Sequence, residues 1–416
     1  MTVTSPSFSQ LAIRYASYPA ILGATAFVLL VLVGDSLPYF PTVPLVVAAA
    51  LLAVALLERR LPFHREWLRD HRDAACDAAH AVVNLAILLS VHGLIALLPS
   101  QWLPDSIWPT GWPLLAQALL VGLVLDLSLY SVHWLSHRYA WMWKFHAIHH
   151  SSERLYWLNG ERRHPLHAMM MAGPGLLIVV LLGAPSLAVG AWLGVLAVHL
   201  AFQHSNLDYR VGPLRYLVGA AEVHRWHHKR EYEDAQVNFG EFWMVWDHAF
   251  GTFKLPRQTL GPADVGLSDR AFPVRYAAQL LYPLTQQDSG AVRVREEQFE
   301  AARIAFRRES AIARTQEHAW DLPAAWRAHE LAHIIGQPYL RLHLLSHWQM
   351  LGLAWRTVNR AECGAQALRL ILTPLAHFTG RMPPYNVGTR RVGLLDTGGW
   401  PTELDPMTLQ RREASR

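Results

Sequence analysis

Cysteine is nearly absent from this chain. Cys76 and Cys363 are the only two in 416 residues. That excludes a disulfide framework, a thiolate metal site and a cysteine-held iron–sulfur cluster. Charge is scarce as well, at 17% of residues, whereas 52% are hydrophobic and come in blocks. This is the balance of a membrane protein rather than of two or three soluble domains. The net charge of +5 is modest, and no Lys/Arg cluster is interleaved with aromatics, so nucleic acid is excluded as a partner. No Gly-x-Gly-x-x-Gly opens a helix after a strand and no haem signature is present, so the chain carries no electron-transfer cofactor of its own. There are no internal repeats and no low-complexity tracts.

The apolar blocks predict the membrane topology. Blocks from about Tyr18 to Val33 and from about Val43 to Leu57 read as a tight transmembrane hairpin, each near the lower length limit for a span. The first is a poor signal peptide, because Arg14 is the only basic residue before it and a second block follows at once. A third span is expected over about Ala81 to Leu98 and a fourth over about Leu114 to Trp134. A fifth block, Met169 to Phe202, is broken by Gly183-Ala-Pro-Ser186. Its halves are short, and they predict either a membrane hairpin or two buried helices. The connections Asp35–Thr42 and Pro99–Trp112 contain no Lys or Arg, whereas Glu58–Asp77 carries Arg59, Arg60, Arg65, Arg69 and Arg72. The positive-inside rule therefore puts the arginine loop, and everything after Trp134, on the cytoplasmic side. Seventeen tryptophans suit membrane-interface belts.

What the chain has in excess is histidine. Twelve of its 23 histidines fall between His133 and His228. His133 and His137 lie four apart in Ser131-Val-His-Trp-Leu-Ser-His137. His146, His149 and His150 follow in Phe145-His-Ala-Ile-His-His150, and His224, His227 and His228 repeat that spacing in Val223-His-Arg-Trp-His-His228. At this histidine content one His-x-x-His-His is expected by chance on the order of 0.07 times. Residues three and four apart share a helix face, and neutral imidazole is the commonest nitrogen ligand of metals. Eight converging imidazoles exceed the needs of one ion, so the pattern predicts a two-metal site. Asp126 lies two helical turns before His133, inside a span where an acid is costly. It is expected either to receive the N–H of a ligating imidazole or, equally, to pair with a neighbouring helix. Glu161, Glu222 and Asp247 are weaker candidates for the same task. His167 and His199 read as hydrogen-bonded core residues.

These boxes, their order and the apolar hairpin before the last one resemble the fatty acid hydroxylase/sterol desaturase superfamily. The resemblance covers roughly Asp126 to Pro256. It extends to Arg163-His-Pro165, Gly212-Pro-Leu-Arg-Tyr216, Asn238-Phe-Gly240 and Trp246-Asp-His-Ala-Phe-Gly-Thr252, and within the superfamily it looks most like alkylglycerol monooxygenases and bacterial sterol-desaturase-like members. It implies metal ligation by His133, His137, His146, His149, His150, His224, His227 and His228, with His204 of Gln203-His-Ser-Asn206 as a ninth ligand. His164 is a further candidate ligand, although a His-Pro pair equally caps a loop. Asn238 is marked as a candidate catalytic residue. The resemblance also implies two non-haem iron ions, O2 as co-substrate and a lipid substrate (acyl, alkyl-ether or sterol-like). The reaction it implies is hydroxylation, or desaturation as the alternative, with electrons from a separate donor protein or reductant. The membrane implied is the inner membrane of a bacterium or the endoplasmic reticulum of a eukaryote.

One further motif is His329-Glu-Leu-Ala-His333, the His-Glu-x-x-His of zinc hydrolases, which offers a zinc hydrolase with Glu330 as general base as a distant alternative function; the plainer reading is that His329, His333, His343 and His347 line an amphipathic helix. Tyr339 stands where one such group has its third histidine. The expectation is therefore an all-α integral membrane protein with about four spans, a short membrane hairpin and a cytoplasmic helical cap carrying the dimetal site. Its parts are 1–112 (N-terminal spans and arginine loop), 113–256 (catalytic domain) and 257–416 (a mainly helical cytoplasmic extension).

Overall fold

A computed structural model describes residues 7–33, 36–96, 106–268, 272–285, 290–379, 381–402 and 404. These form two compact units: residues 1–248 with 252–289, and residues 290–416 with 249–251. Among the described residues the secondary structure is helical, with only isolated β-bridges such as Pro62 to Leu207 and Val218 to Trp243.

In the first unit, helix α1 (Phe8–Phe27) continues as a π-helical turn over Val28–Leu32, and α2 is Tyr39–Arg60. Helix α1 starts well before the expected Tyr18 because Ser7 and Gln10 close a reciprocal cap at Phe8. Arg14 is carried inside α1, its charge met by Asp208. Helix α3 (Ala74–Ala96) likewise starts before the expected Ala81. Asp70 accepts the Asp73 and Ala74 N–H groups and so begins it early. Helices α4 (Leu114–Ser136) and α5 (Ala140–His150) follow, then α6 (Pro165–Leu181) and α7 (Ser186–His204). The expected turn between the last two is present, with Gly183 at φ +81° where a Cβ would strike Ser106. Short helices α8 (Ala221–His224), α9 (Val245–Phe250) and α10 (Tyr276–Leu281) complete this part of the chain.

Among the described residues, four helical stretches are long and apolar enough to cross a membrane: Phe8–Leu32, α2, α4 and α7. Helix α3 is not among them. Its apolar stretch in the described residues is Ala74–Leu88, and the end of the expected third span, Leu98, lies outside the described residues, as do 99–105 of the following connection. Its first half is polar on one side: His80 reaches the Arg163 carbonyl and Asn84 the carbonyls of Glu161 and Arg163. Helix α7 is the central element. It packs against α1, α2 and α4, while α6 packs against α3 and α4. Leu45, Leu52 and Leu56 of α2, and Leu115, Leu119 and Leu123 of α4, are exposed, as lipid-facing side chains are.

The second unit contains α11 (Gly290–His318), α12 (Leu322–Gly336), α13 (Leu340–Arg356) and α14 (Arg360–Phe378). Asp321 and Asn359 cap α12 and α14 through their side-chain oxygens. Phe306, Leu331, Ile334, Ile335 and Leu342 form its core with Leu404. None of its described helices is long and apolar enough to cross a membrane.

Candidate dimetal site

The three histidine boxes and His204 meet at the ends of helices. His133 lies in the last turn of α4 and His137 caps it; His146, His149 and His150 end α5, and His204 ends α7. His224 ends α8, and His227 and His228 follow in the next turn. The nine rings are 0 to 2% exposed. Their ligand atoms sort into two groups, each lying within 4.8 Å of one another: His133, His137, His146, His150 and His227 in one, His149, His204, His224 and His228 in the other.

The helical repeat explains the sorting. Residues i and i+4 lie about 40° apart around a helix while i+3 lies about 60° to the other side. So His146 and His150 go one way and His149 the other, and in the last box His224 and His228 part from His227. Each His-x-x-His-His box therefore serves both groups.

The ring orientations test whether a metal fits. His133 Nδ1 is 2.8 Å from the Phe239 carbonyl, His227 Nδ1 2.9 Å from the Val237 carbonyl and His204 Nδ1 3.0 Å from the Leu200 carbonyl. A carbonyl only accepts, so each Nδ1 carries the proton and each Nε2 presents a lone pair. His150 Nε2 lies 3.1 Å from both His146 Nε2 and His227 Nε2, and His224 Nε2 lies 3.1 Å from His204 Nε2 and 3.0 Å from His228 Nε2. Buried His133 Nε2 has no hydrogen-bond partner. Ligands at ~2.0–2.1 Å from one ion stand ~2.8–3.4 Å apart, so these separations suit cations. Burial, and then the neighbouring imidazoles, hold His146, His149, His150, His224 and His228 well below the ordinary histidine pKa. They are neutral, as ligands must be.

The supports differ from expectation. Asp126 does not receive an imidazole N–H. Its two oxygens accept the backbone N–H groups of Phe242 (2.7 Å) and Trp243 (3.0 Å). Asp247 does the same for Phe239 and Gly240, both at 2.8 Å. Burial pushes the Asp247 carboxyl up to about 6 against the pull of those hydrogen bonds. Two buried acids thus hold the 237–243 segment, whose carbonyls orient His133 and His227. Spacing placed Asp126 on the correct face, but nothing in the sequence says that a main chain lies opposite.

Asn238 sits at φ +55°. Its side chain donates to the Val223 and Lys254 carbonyls and accepts the Lys254 N–H, so it fastens the last box to the closing motif instead of facing the rings. His164 joins neither group: its Nδ1 accepts the Leu166 N–H as the cap of α6 and its Nε2 faces the Leu280 carbonyl. His167 binds Ser136, and His199 bridges Tyr18 and the Glu241 carbonyl. Glu222 pairs with Arg210, and the Glu161 carbonyl holds Asn84.

Sequence reasoning did not find Gln236, whose amide lies 3.0 Å from His137 Nδ1, or Glu241, which pairs with Arg163 and lies 3.7 Å from His133 Nδ1. Nor did it find the buried Arg154 and Arg162, which meet Asp73 and Asp77 and tie α5's exit to the arginine loop. Arg225, inside the last box, donates to the Ser205 and Leu207 carbonyls at 2.7 and 2.9 Å. It fixes that box to the end of α7.

The fatty acid hydroxylase family model matches residues 118–252, which contain all nine rings. An ornithine lipid hydroxylase of Rhizobium tropici is 30% identical over 244 residues, 56% of this chain and 73% of that protein. The chain belongs to the fatty acid hydroxylase family. Two further relatives of this family member are covered less fully. The alkylglycerol monooxygenase of Danio rerio is 30% identical over 41% of this chain and 36% of its own length. Methylsterol monooxygenase 1 of Rattus norvegicus is 28% identical over 33% and 46%. No solved structure matches. Residues 300–407 match a second family model, a protein of unknown function (DUF3703). The family and these relatives make the chain an oxidoreductase of lipid metabolism, and its four apolar helices make it a multi-pass membrane protein.

The His-Glu-x-x-His pair does not converge. His333 meets His343 and His347, while the His329 ring lies near Trp326.

Proposed function

We propose that the chain is a membrane diiron hydroxylase that inserts one oxygen atom of O2 into a C–H bond of a bilayer lipid, using electrons from a separate donor. The division of nine buried histidines into groups of five and four carries this reading. His133, His137, His146, His150 and His227 would hold one ion; His149, His204, His224 and His228 would hold the other. Iron supplies the redox chemistry that activates O2, which zinc cannot supply. The chain's own part is to orient the rings through the 237–243 carbonyls, to keep them neutral and to exclude bulk water from the site. The relatives are hydroxylases and monooxygenases by name, which favours hydroxylation over desaturation. With the ornithine lipid hydroxylase among them, a polar membrane lipid is the substrate class to test first.

Elemental analysis of detergent-purified protein, joined to lipid profiling of cells with and without the gene, tests the reading. Two irons per chain and a lipid gaining one oxygen are expected. Zinc alone with no oxidised lipid overturns it. We place the site on the cytoplasmic side, where reductants are, in accord with the arginine-rich connections. A reporter fused after Lys254 should read cytoplasmic and one inserted near Pro104 external. Opposite faces for Lys254 and the Arg138–Arg163 segment would separate the boxes by a ~30 Å hydrocarbon core and end the reading.

A further inference from the structure

The second unit contains its own convergence of imidazoles. His333 from α12 and His343 and His347 from α13 bring their Nε2 atoms to 2.9, 3.1 and 3.3 Å of one another. The rings are buried, and they are a separate set from the nine above.

The surroundings fix where the protons are. His333 Nδ1 lies 2.9 Å from the Asn386 carbonyl, which can only accept, so Nδ1 carries the hydrogen and Nε2 the lone pair. His347 Nδ1 lies 2.7 Å from Gln366 Oε1. The Gln366 amide cannot be turned over, because its nitrogen already donates to Glu362 Oε1 and to the Gly388 carbonyl, both at 2.8 Å. His347 Nδ1 therefore carries its proton as well. Two lone pairs, on His333 Nε2 and His347 Nε2, then face each other at 3.3 Å in a buried pocket. His343 cannot relieve both, since one proton on its Nε2 serves only one neighbour. Its Nδ1 lies 2.9 Å from His377 Nε2, a pair in which either ring can be the donor. Gly388, at φ +80°, lets the main chain close on the His333 ring where a Cβ would clash.

We propose that His333, His343 and His347 bind one divalent ion of the Zn2+ class through their Nε2 atoms. Imidazole nitrogens suit Zn2+ as they do Cu, Fe and Ni, and three of them around one open position is an arrangement that Zn2+ takes. An ion ~2.0–2.1 Å from all three nitrogens sits ~1 Å off their plane, which leaves a fourth position for water or a small ligand. Asn386 and Gln366 hold the His333 and His347 rings in the ligating tautomer, and His377 would accept the His343 Nδ1–H once an ion takes its Nε2. Neither His329 nor Glu330 belongs to the ligand set: Glu330 turns to Thr389 and Arg327. The site owes nothing to the iron reading above.

The test uses the full-length chain in detergent, stripped with chelator, loaded with Zn2+ and freed of excess. Iron is measured on each sample as purified, before stripping, and zinc after reloading. His343→Ala and His347→Ala should each hold about one zinc equivalent less than wild type, with iron unchanged, and His329→Ala should lose none. His377→Ala should weaken zinc binding by ~10–100-fold, and saturating zinc should restore it, which a misfolded unit would not allow. Equal zinc in wild type and both ligand variants overturns the proposal in favour of a hydrogen-bonded trio without metal. Loss of the equivalent in His329→Ala overturns it in favour of the His-Glu-x-x-His pair.

Discussion

The two histidine clusters of this molecule are built on one rule and read very differently from sequence. The Nδ1 atoms of His133, His204 and His227 in the first, and of His333 and His347 in the second, face carbonyl or amide oxygens, so the Nε2 lone pairs of those rings turn inward. In the first unit the ligands come in boxes three and four residues apart, on helix ends gathered around α7. In the second, His333 and His343 are ten residues apart across the α12–α13 turn, and only His343 and His347 share a helix. The difference is one of number. Nine buried rings can hold two ions without an external ligand at every position, whereas three leave a vacant side.

The largest effect that would break this comparison is on the boxes. His149→Ala and His227→Ala should each abolish lipid oxidation and remove at least one iron, yet leave the zinc of the second unit in place. Activity at the wild-type level in either variant sinks the assignment of that ring as a ligand. Next in size is Asp126→Ala, which strands two buried backbone N–H groups at ~1–3 kcal/mol each. It should lower iron affinity by ~10–100-fold without removing a ligand; iron titration that matches wild type would reduce Asp126 to a packing residue. Asn238→Ala deletes three hydrogen bonds of the clamp between Val223 and Lys254. We expect a loss of ~1–3 kcal/mol in stability, seen as a lower melting temperature, with iron stoichiometry retained at low temperature. The smallest effect is predicted for Glu330→Gln, which should keep lipid oxidation within a few-fold of wild type. A drop of ~10²–10⁴-fold with iron intact would mean that Glu330 acts as a general base.

The first cluster was legible in the sequence because its ligands are local repeats, and a helix turns such repeats into shared faces. The division of the α5 box between the two groups follows from the same periodicity. What was not legible is the main chain: the carbonyls of Val237 and Phe239 orient two rings, and carbonyls have no letter. Asp126 shows the limit. Its position was readable and its partner was not. The His-Glu-x-x-His motif drew attention to His329, while the rings that converge on His333 depend on a tertiary turn. The span ends shifted for local reasons, since a Ser7/Gln10 cap and an Asp70 cap extend α1 and α3 beyond their apolar runs.

Bilayers thicken, thin and curve, and the helices that cross them tilt in response. In this protein the offset between the two ring groups is set along α5, where His146 and His150 face one way and His149 the other. Three residues of helix advance only ~4.5 Å along the axis, and no tilt of the bundle alters that pitch. The spacing of the three rings that α5 supplies can change only if α5 unwinds. Helix α5 is not among the helices long and apolar enough to cross the membrane, so a change in bilayer thickness reaches its three rings only through the ends of α4 and α7.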